Sequence, residues 1–316
     1  MSKFKLPFLL AGLFLCCSAS GLKAQVYETP ELHGDTVVFP LTLIDVYPFI
    51  SGTVNSVGGK FMFDTGYQTF ISLNDNFIEL PDKKAKSSGV TGSGQSFKTN
   101  VNDTISEIRF GNGLIYRKLL NIPSANYDFL QKNITPDFIG FIGYDFFRGY
   151  LFKLDYLHRK VTFYKSTAER TRTRDFLKNE KVLAVIDFEI RKLANHPIIR
   201  LKIDGINVVG VFDTGQNGLL QLDATSAKLL ESHGSVLRSG TDSYGDTLLN
   251  VKNIIVGGKL KTSLNGLALT ELNATQIERE KSGITEPNLM NIGYRFLVKY
   301  KTVWDYAHKK IYVLEY

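Results

Sequence analysis

Short runs rich in β-branched and aromatic residues recur along the chain. They include 36–44 (TVVFPLTLI), 105–110, 161–164, 198–203, 251–256 and 311–314. Such residues fit a pleated, half-buried surface, so each run predicts a strand. Gly111-Asn112-Gly113 and Gly257-Gly258 punctuate them with turn chemistry. Helical signals are few, and short helices are predicted at 146–149 and 225–233. The pattern predicts an all-β protein, mainly β with short helices.

The pattern also repeats. Pro48-Phe49-Ile50 lies over Pro197-Ile198-Ile199, and Phe63-Asp64-Thr65-Gly66 over Phe212-Asp213-Thr214-Gly215, both at an offset of 149 residues. At an offset of 150, Ile142-Gly143-Tyr144 lies over Ile292-Gly293-Tyr294, Asp155-Tyr156 over Asp305-Tyr306, and His158 over His308. A drift of one residue across distant blocks means two copies of one domain, with a period far too long for a solenoid. The predicted organisation is an N-terminal lobe over 25–164, a linker over 165–180 and a C-terminal lobe over 181–316. The linker is polar and charged, with Arg170, Arg172 and Arg174 on alternate positions, and is predicted to be exposed and solvated.

In each copy an apolar strand runs into Asp-Thr-Gly. A single such tripeptide is good turn chemistry and carries little weight. Two of them, each after Phe and at matched places in a duplication, need a further reason. With these residues the chain resembles the aspartic proteases of the retropepsin-like and pepsin-like group. The resemblance covers both lobes and extends to an apolar-apolar-Gly element some 80 residues later. That element is Phe141-Ile142-Gly143 in the first copy and Asn291-Ile292-Gly293 in the second, where Asn departs from the pattern.

The resemblance implies two acid-protease-type β-barrel lobes related by a pseudo-two-fold axis, each supplying one aspartate. Asp64 and Asp213 would be the catalytic pair. Two carboxyl groups about 3 Å apart cannot both ionise easily, so they share a proton. The ionised one activates water and the protonated one donates. Gly66 and Gly215 would let the loops approach closely. Thr65 and Thr214 would bond across to the opposite loop, while Gly143 and Gly293 support it. Tyr67 and Gln216 stand where these families usually carry Ser, Thr or Ala, which leaves the pH optimum open.

Such enzymes cover the cleft with hairpin flaps. Gly/Ser-rich tips at 87–94, with Thr91, Gly92, Ser93 and Gly94, and at 239–245, with Asp242, Ser243 and Tyr244, are the predicted flaps. His158 and His308 are predicted to serve a turn before the last strand of each copy. No metal-ligand spacing, P-loop, dinucleotide fingerprint or GxSxG motif occurs, so no metal or cofactor is predicted. Asn102-Asp103-Thr104, Asn133-Ile134-Thr135 and Asn273-Ala274-Thr275 fit the N-glycosylation pattern.

Composition enters last because the N-terminus changes it. The chain has 316 residues, 43% hydrophobic and 22% charged, with a formal net charge of +7 and two cysteines. Residues 1–24 begin with Lys3 and Lys5, continue through twelve uncharged residues to Cys17, and end in small residues and Ala24. This reads as a secretory signal peptide cut after Ala24, with Ser20 as the second choice. The apolar run is shorter than the ~20 residues a membrane span needs. Both cysteines, Cys16 and Cys17, leave with it; a lipid-anchored form is disfavoured because Leu15 precedes them. Its three lysines leave too, taking Lys+Arg from 38 to 35 against 31 acidic residues, an excess of +4. That is an ordinary surface without a basic–aromatic stripe, and nucleic acid is not an expected partner. The sequence thus predicts an exported, monomeric aspartic endopeptidase acting on peptides or proteins, without a stable membrane span. The alternative is a non-catalytic peptide- or glycan-binding protein on the same fold.

Overall fold

A computed structural model describes residues 27–316 except 82, 91–95, 104, 243–244, 272–275 and 277–278; the side chains of Val90 and Ser96 also lie outside it. The predicted signal segment falls outside the described residues. The protein is mainly β with short helices, arranged in three sheets.

Among the described residues a ten-stranded sheet built from residues 42–142 forms lobe one, and a seven-stranded sheet built from residues 198–292 forms lobe two. Lobe two closes on itself, because Ile198–Ile203 pairs with both Ile206–Phe212 and Thr247–Val256. The strand path of lobe one does not close among the described residues.

The third sheet draws on both copies. Its six antiparallel strands run in the order Thr36–Pro40, Lys160–Lys165, Tyr150–Asp155, Lys301–Asp305, Lys310–Leu314, Val182–Asp187. The seam lies where Phe152 faces Trp304 and Leu154 faces Thr302. Trp304, the only tryptophan, is fully buried there against Phe152, with ring centroids 5.1 Å apart. One apolar core runs through this sheet into both lobes.

Several predicted elements change in form. The run 36–44 is two strands, Thr36–Pro40 in the seam sheet and Thr42–Ile44 in lobe one. Leu41 is buried between them, and its N–H donates to Arg159 O, so the chain changes sheets at that point. The helix predicted at 146–149 is a 3-10 turn at Tyr144–Phe147, and that at 225–233 is an α-helix at Ala224–Ser232, capped by Asp223 accepting from Ser226 N–H.

The predicted exposed linker needs correction. Residues Ala168–Thr173 form a helix, and Arg170 is only 7% exposed. Its guanidinium donates to Asp35 and Asp175, so a residue that reads as solvated is paired and buried. Phe176 is buried against Tyr312. Glu180 accepts from Lys153 and from Lys301, one lysine from each copy. The segment is therefore packed onto the seam. Among the described residues no helix is long and apolar enough to cross a membrane.

Candidate active site

Val57–Phe63 runs parallel to Phe138–Ile142, and Ile206–Phe212 runs parallel to Leu289–Ile292. Each first strand ends in Phe and releases the chain as Asp-Thr-Gly. The exit is held by backbone bonds: Asp64 N–H donates to Ile142 O (3.0 Å) and Asp213 N–H to Ile292 O (3.1 Å). Phe63 and Phe212 are fully buried against the seam sheet, Phe63 on Phe152 at 5.5 Å and Phe212 on Trp304 at 5.4 Å. The shared sheet thus fixes where both aspartates leave their strands.

Gly143 and Gly293 lie against the two Asp-Thr-Gly loops. Gly143 N–H donates to Phe70 O and Tyr144 N–H to Tyr67 O; in lobe two Tyr294 N–H donates to Gln216 O and Arg295 N–H to Asn217 O. A Cβ on Gly143 would overlap the carbonyls of Tyr67 and Thr69, and one on Gly293 would overlap that of Gln216. The supporting strand ends press directly on the loops.

The two loops meet at fully buried threonines. Thr65 N–H donates to Thr214 Oγ1 and Thr214 N–H to Thr65 Oγ1, each at 3.0 Å. Thr214 Oγ1 also donates to Phe63 O at 2.7 Å. A Cβ on Gly66 would overlap the Asp213 carboxyl, and one on Gly215 the Asp64 carboxyl. Each glycine therefore makes room for the opposite aspartate.

The carboxyl groups of Asp64 and Asp213 sit side by side, with Gly66 N–H donating to an oxygen of each. Asp64 Oδ1 accepts from Gly66 N–H (2.8 Å) and Tyr67 N–H (3.2 Å). Asp213 Oδ1 accepts from Gly215 N–H (2.8 Å) and from Gly66 N–H (3.1 Å). Burial, reinforced by the neighbouring Asp213 charge and carboxyl, pushes the Asp64 carboxyl well above the ordinary range. The arrangement can hold one proton between two carboxyl groups.

The surroundings are less symmetric. Tyr67 stacks on Phe141, with planes 6° apart and centroids at 5.0 Å. Phe141 meets Tyr127 edge-on at 5.1 Å, and Tyr127 meets Phe97 of strand Ser96–Asn102 at 5.3 Å. An aromatic chain thus joins that strand to the Asp64 loop. Tyr67 contributes its backbone N–H to the Asp64 carboxyl.

Two residues next to the site escaped the sequence reading. Asn195 is 1% exposed, and its Nδ2 donates to Thr65 O (3.1 Å) and Gly66 O (2.8 Å) of the opposite lobe. His196 is buried and shares a 2.7 Å hydrogen bond with Ser282 Oγ. Burial holds its imidazole below the ordinary range, against the opposing pull of Asp213 and the Gly66 backbone. The available signal was a polarity change at matched positions, Val46-Tyr47-Pro48 against Asn195-His196-Pro197.

The segments predicted as flaps belong to two hairpins, Lys83–Val90 with Ser96–Asn102 and Val236–Thr241 with Thr247–Val256. Thr91, Gly92, Ser93, Gly94, Ser243 and Tyr244 lie outside the described residues. Asp242 N–H donates to Asp246 O, and its Oδ1 accepts from Asp246 N–H, which shapes the second tip. In the predicted turns His158 bonds Asp155 and His308 bonds Asp305. Asn102 is fully buried, with Nδ2 bonded to Ile122 O and Ser124 Oγ, so it cannot carry a glycan in the folded protein. Among the described residues no group of three or more His, Cys, Asp or Glu side chains could hold a metal ion.

No protein-family model matches the sequence, and no curated protein matches it. Among solved structures, the crystal structure of Basic 7S globulin from soybean is similar, with a TM-score of 0.49 at 10% identity. The match covers 89% of this chain and 95% of that chain.

Proposed function

We propose that the protein is an exported aspartic endopeptidase of the retropepsin-like and pepsin-like kind. The observation that carries this reading is the Asp64–Asp213 pair brought to one shared Gly66 N–H donor, framed by two glycine loops and locked by reciprocal threonine bonds. In the monoanionic pair, the ionised carboxylate takes a proton from water as it attacks the peptide carbonyl. The protonated carboxyl donates to the carbonyl oxygen; as the C–N bond breaks, the carboxyl that took the water proton gives it to the amine nitrogen and the intermediate's hydroxyl returns its proton to the other carboxylate. The raised Asp64 carboxyl supports this sharing. The two flap hairpins flank an extended peptide or protein substrate. Both aspartates come from one chain, so a monomer suffices, and residues 1–24 direct export.

The second reading is a non-catalytic peptide- or glycan-binding protein, favoured by Tyr67 and Gln216 after the two glycines. Digestion of a mixed-peptide library by the purified protein across pH 3–8 separates the two. The protease reading expects cleavage that Asp64→Asn and Asp213→Asn each remove. Peptide binding without cleavage at any pH supports the second reading.

A further inference from the structure

The peptide unit between Thr65 and Gly66 is unusual in this site. Its N–H points at both carboxyl groups, donating to Asp64 Oδ1 at 2.8 Å and Asp213 Oδ1 at 3.1 Å. Its carbonyl, Thr65 O, accepts from Asn195 Nδ2 at 3.1 Å. One continuous hydrogen-bond chain therefore runs from the Asn195 amide, through a single peptide group, into both carboxyl groups. Hydrogen bonds in such a chain polarise one another, so a donor on the carbonyl strengthens the N–H at the other end.

We propose that Asn195 is a positioning residue: from lobe two it polarises the Thr65–Gly66 peptide and makes Gly66 N–H the dominant donor to the carboxyl pair. The inference rests on the proton-sharing reading of that pair. Three observations favour it over simple packing. The amide orientation is forced, because Nδ2 faces two carbonyl acceptors, Thr65 O and Gly66 O, and only a donor fits there. Asn195 Oδ1 is buried without a hydrogen-bond partner among the described residues, which opposes stability. The matched position in lobe one is Val46, which has no amide, so the Thr214–Gly215 peptide receives no such donor from it. Gly215 N–H correspondingly bonds only its own aspartate, Asp213. The duplicated frame thus carries an asymmetric polariser.

The other titratable groups that face Asp213 are His196, Tyr156 and Tyr306, and burial disfavours the charged form of each. The carboxyl pair is then the group that Asn195 influences.

The test is a titration of the full protein with ¹³C-labelled aspartate, followed by NMR, for wild type, Asn195→Leu and Asn195→Ala. Removing the amide weakens two donations to the ionised pair. The pair's first ionisation should then rise by about half a pH unit, as expected if charge-assisted bonds lose a few tenths of their strength. The acid limb of the pH profile of kcat/KM should move by the same amount. A lower melting temperature with an unmoved titration would make Asn195 merely structural and overturn the proposal. Wild-type protein provides a check that needs no variant. The Gly66 amide proton should lie downfield of the Gly215 amide proton and move more through the titration; equal behaviour overturns the proposal. If wild type cleaves no peptide, the protease reading fails, while the carboxyl titration still decides the role of Asn195.

Discussion

The two half-sites share a backbone frame but not the packing behind it. In lobe one, the residue after the glycine and the first residue of the supporting element are both aromatic, Tyr67 and Phe141, stacked face to face. Their counterparts in lobe two are both amides, Gln216 and Asn291, and Asn291 is fully buried. Asp, Thr and Gly recur in both loops because a close two-fold approach leaves no room for anything else. The flanking positions have diverged as pairs. The comparison teaches that the frame sets where the carboxyl groups meet, while the flanks decide how alike they are.

The largest expected effect tests whether the halves work as one unit. Asp64→Asn and Asp213→Asn should each lower cleavage by about 10²–10⁴-fold or more, because each removes both the shared proton and its partner's function. A variant retaining near-wild-type rates would break the comparison. The same Asp64→Asn change should raise the melting temperature at neutral pH. Asp64 is raised in the folded state, so the unfolded chain ionises first as pH rises above about 3.9. Folding stability is then lost between that value and the folded-state pKa. The neutral amide avoids this loss, so the gain should vanish below pH 3. Melting curves across pH 2–8 check it.

Gly66→Ala and Gly215→Ala come next. Each new Cβ would collide with the opposite aspartate. Overpacking of this kind costs about 1–3 kcal/mol, and here it also separates the carboxyl groups. Denaturant unfolding should give similar losses for the two variants, since the frame is symmetric at this level.

The threonines should separate slightly. Thr214 Oγ1 both accepts from Thr65 N–H and donates to Phe63 O, whereas Thr65 Oγ1 accepts from Thr214 N–H and is only 3.5 Å from Thr214 Oγ1. Thr214→Ala leaves two buried backbone groups unpaired, and each costs about 1–3 kcal/mol. Thr65→Ala leaves one fewer and should cost correspondingly less in the same unfolding assay.

The smallest expected effects lie in the flanks. Tyr67→Leu should lose the stacking contribution, about 0.5–1.5 kcal/mol. Gln216→Leu has no such stack to lose. Away from the loops, Glu286 provides a control of opposite sign to Asp64. Arg191 pulls its carboxyl down to about 2, and two backbone N–H groups contribute. Its contribution is present above the ordinary carboxylate range and disappears as pH falls toward 2. Glu286→Gln should therefore lower the melting temperature at pH 5–7 and have little effect near pH 2.

Much of the frame was legible in the sequence because it is written in residues with few alternatives. Asp64, Thr65, Gly66 and their copies mark the loops, and Gly143 and Gly293 mark the supports. What was hidden depends on partners remote in sequence. A β-rich run such as 150–155 does not reveal that its neighbour is 301–305 of the other copy, so the seam sheet could not be read. Arg170 sits in a polar run whose burial follows only from Asp35, 135 residues earlier, and from Asp175. Asn195 lies in a loop without periodicity, and its partners, Thr65 and Gly66, are about 130 residues away.

The central claim is that Asp64 and Asp213 hold one proton between them. The most direct measurement is the carboxyl ¹³C titration of Asp64 in wild type and in Asp213→Asn. The account predicts a wild-type midpoint well above the ordinary carboxylate range that falls when the neighbouring carboxyl is replaced, burial keeping it raised. An Asp64 midpoint that is the same in both proteins would contradict it.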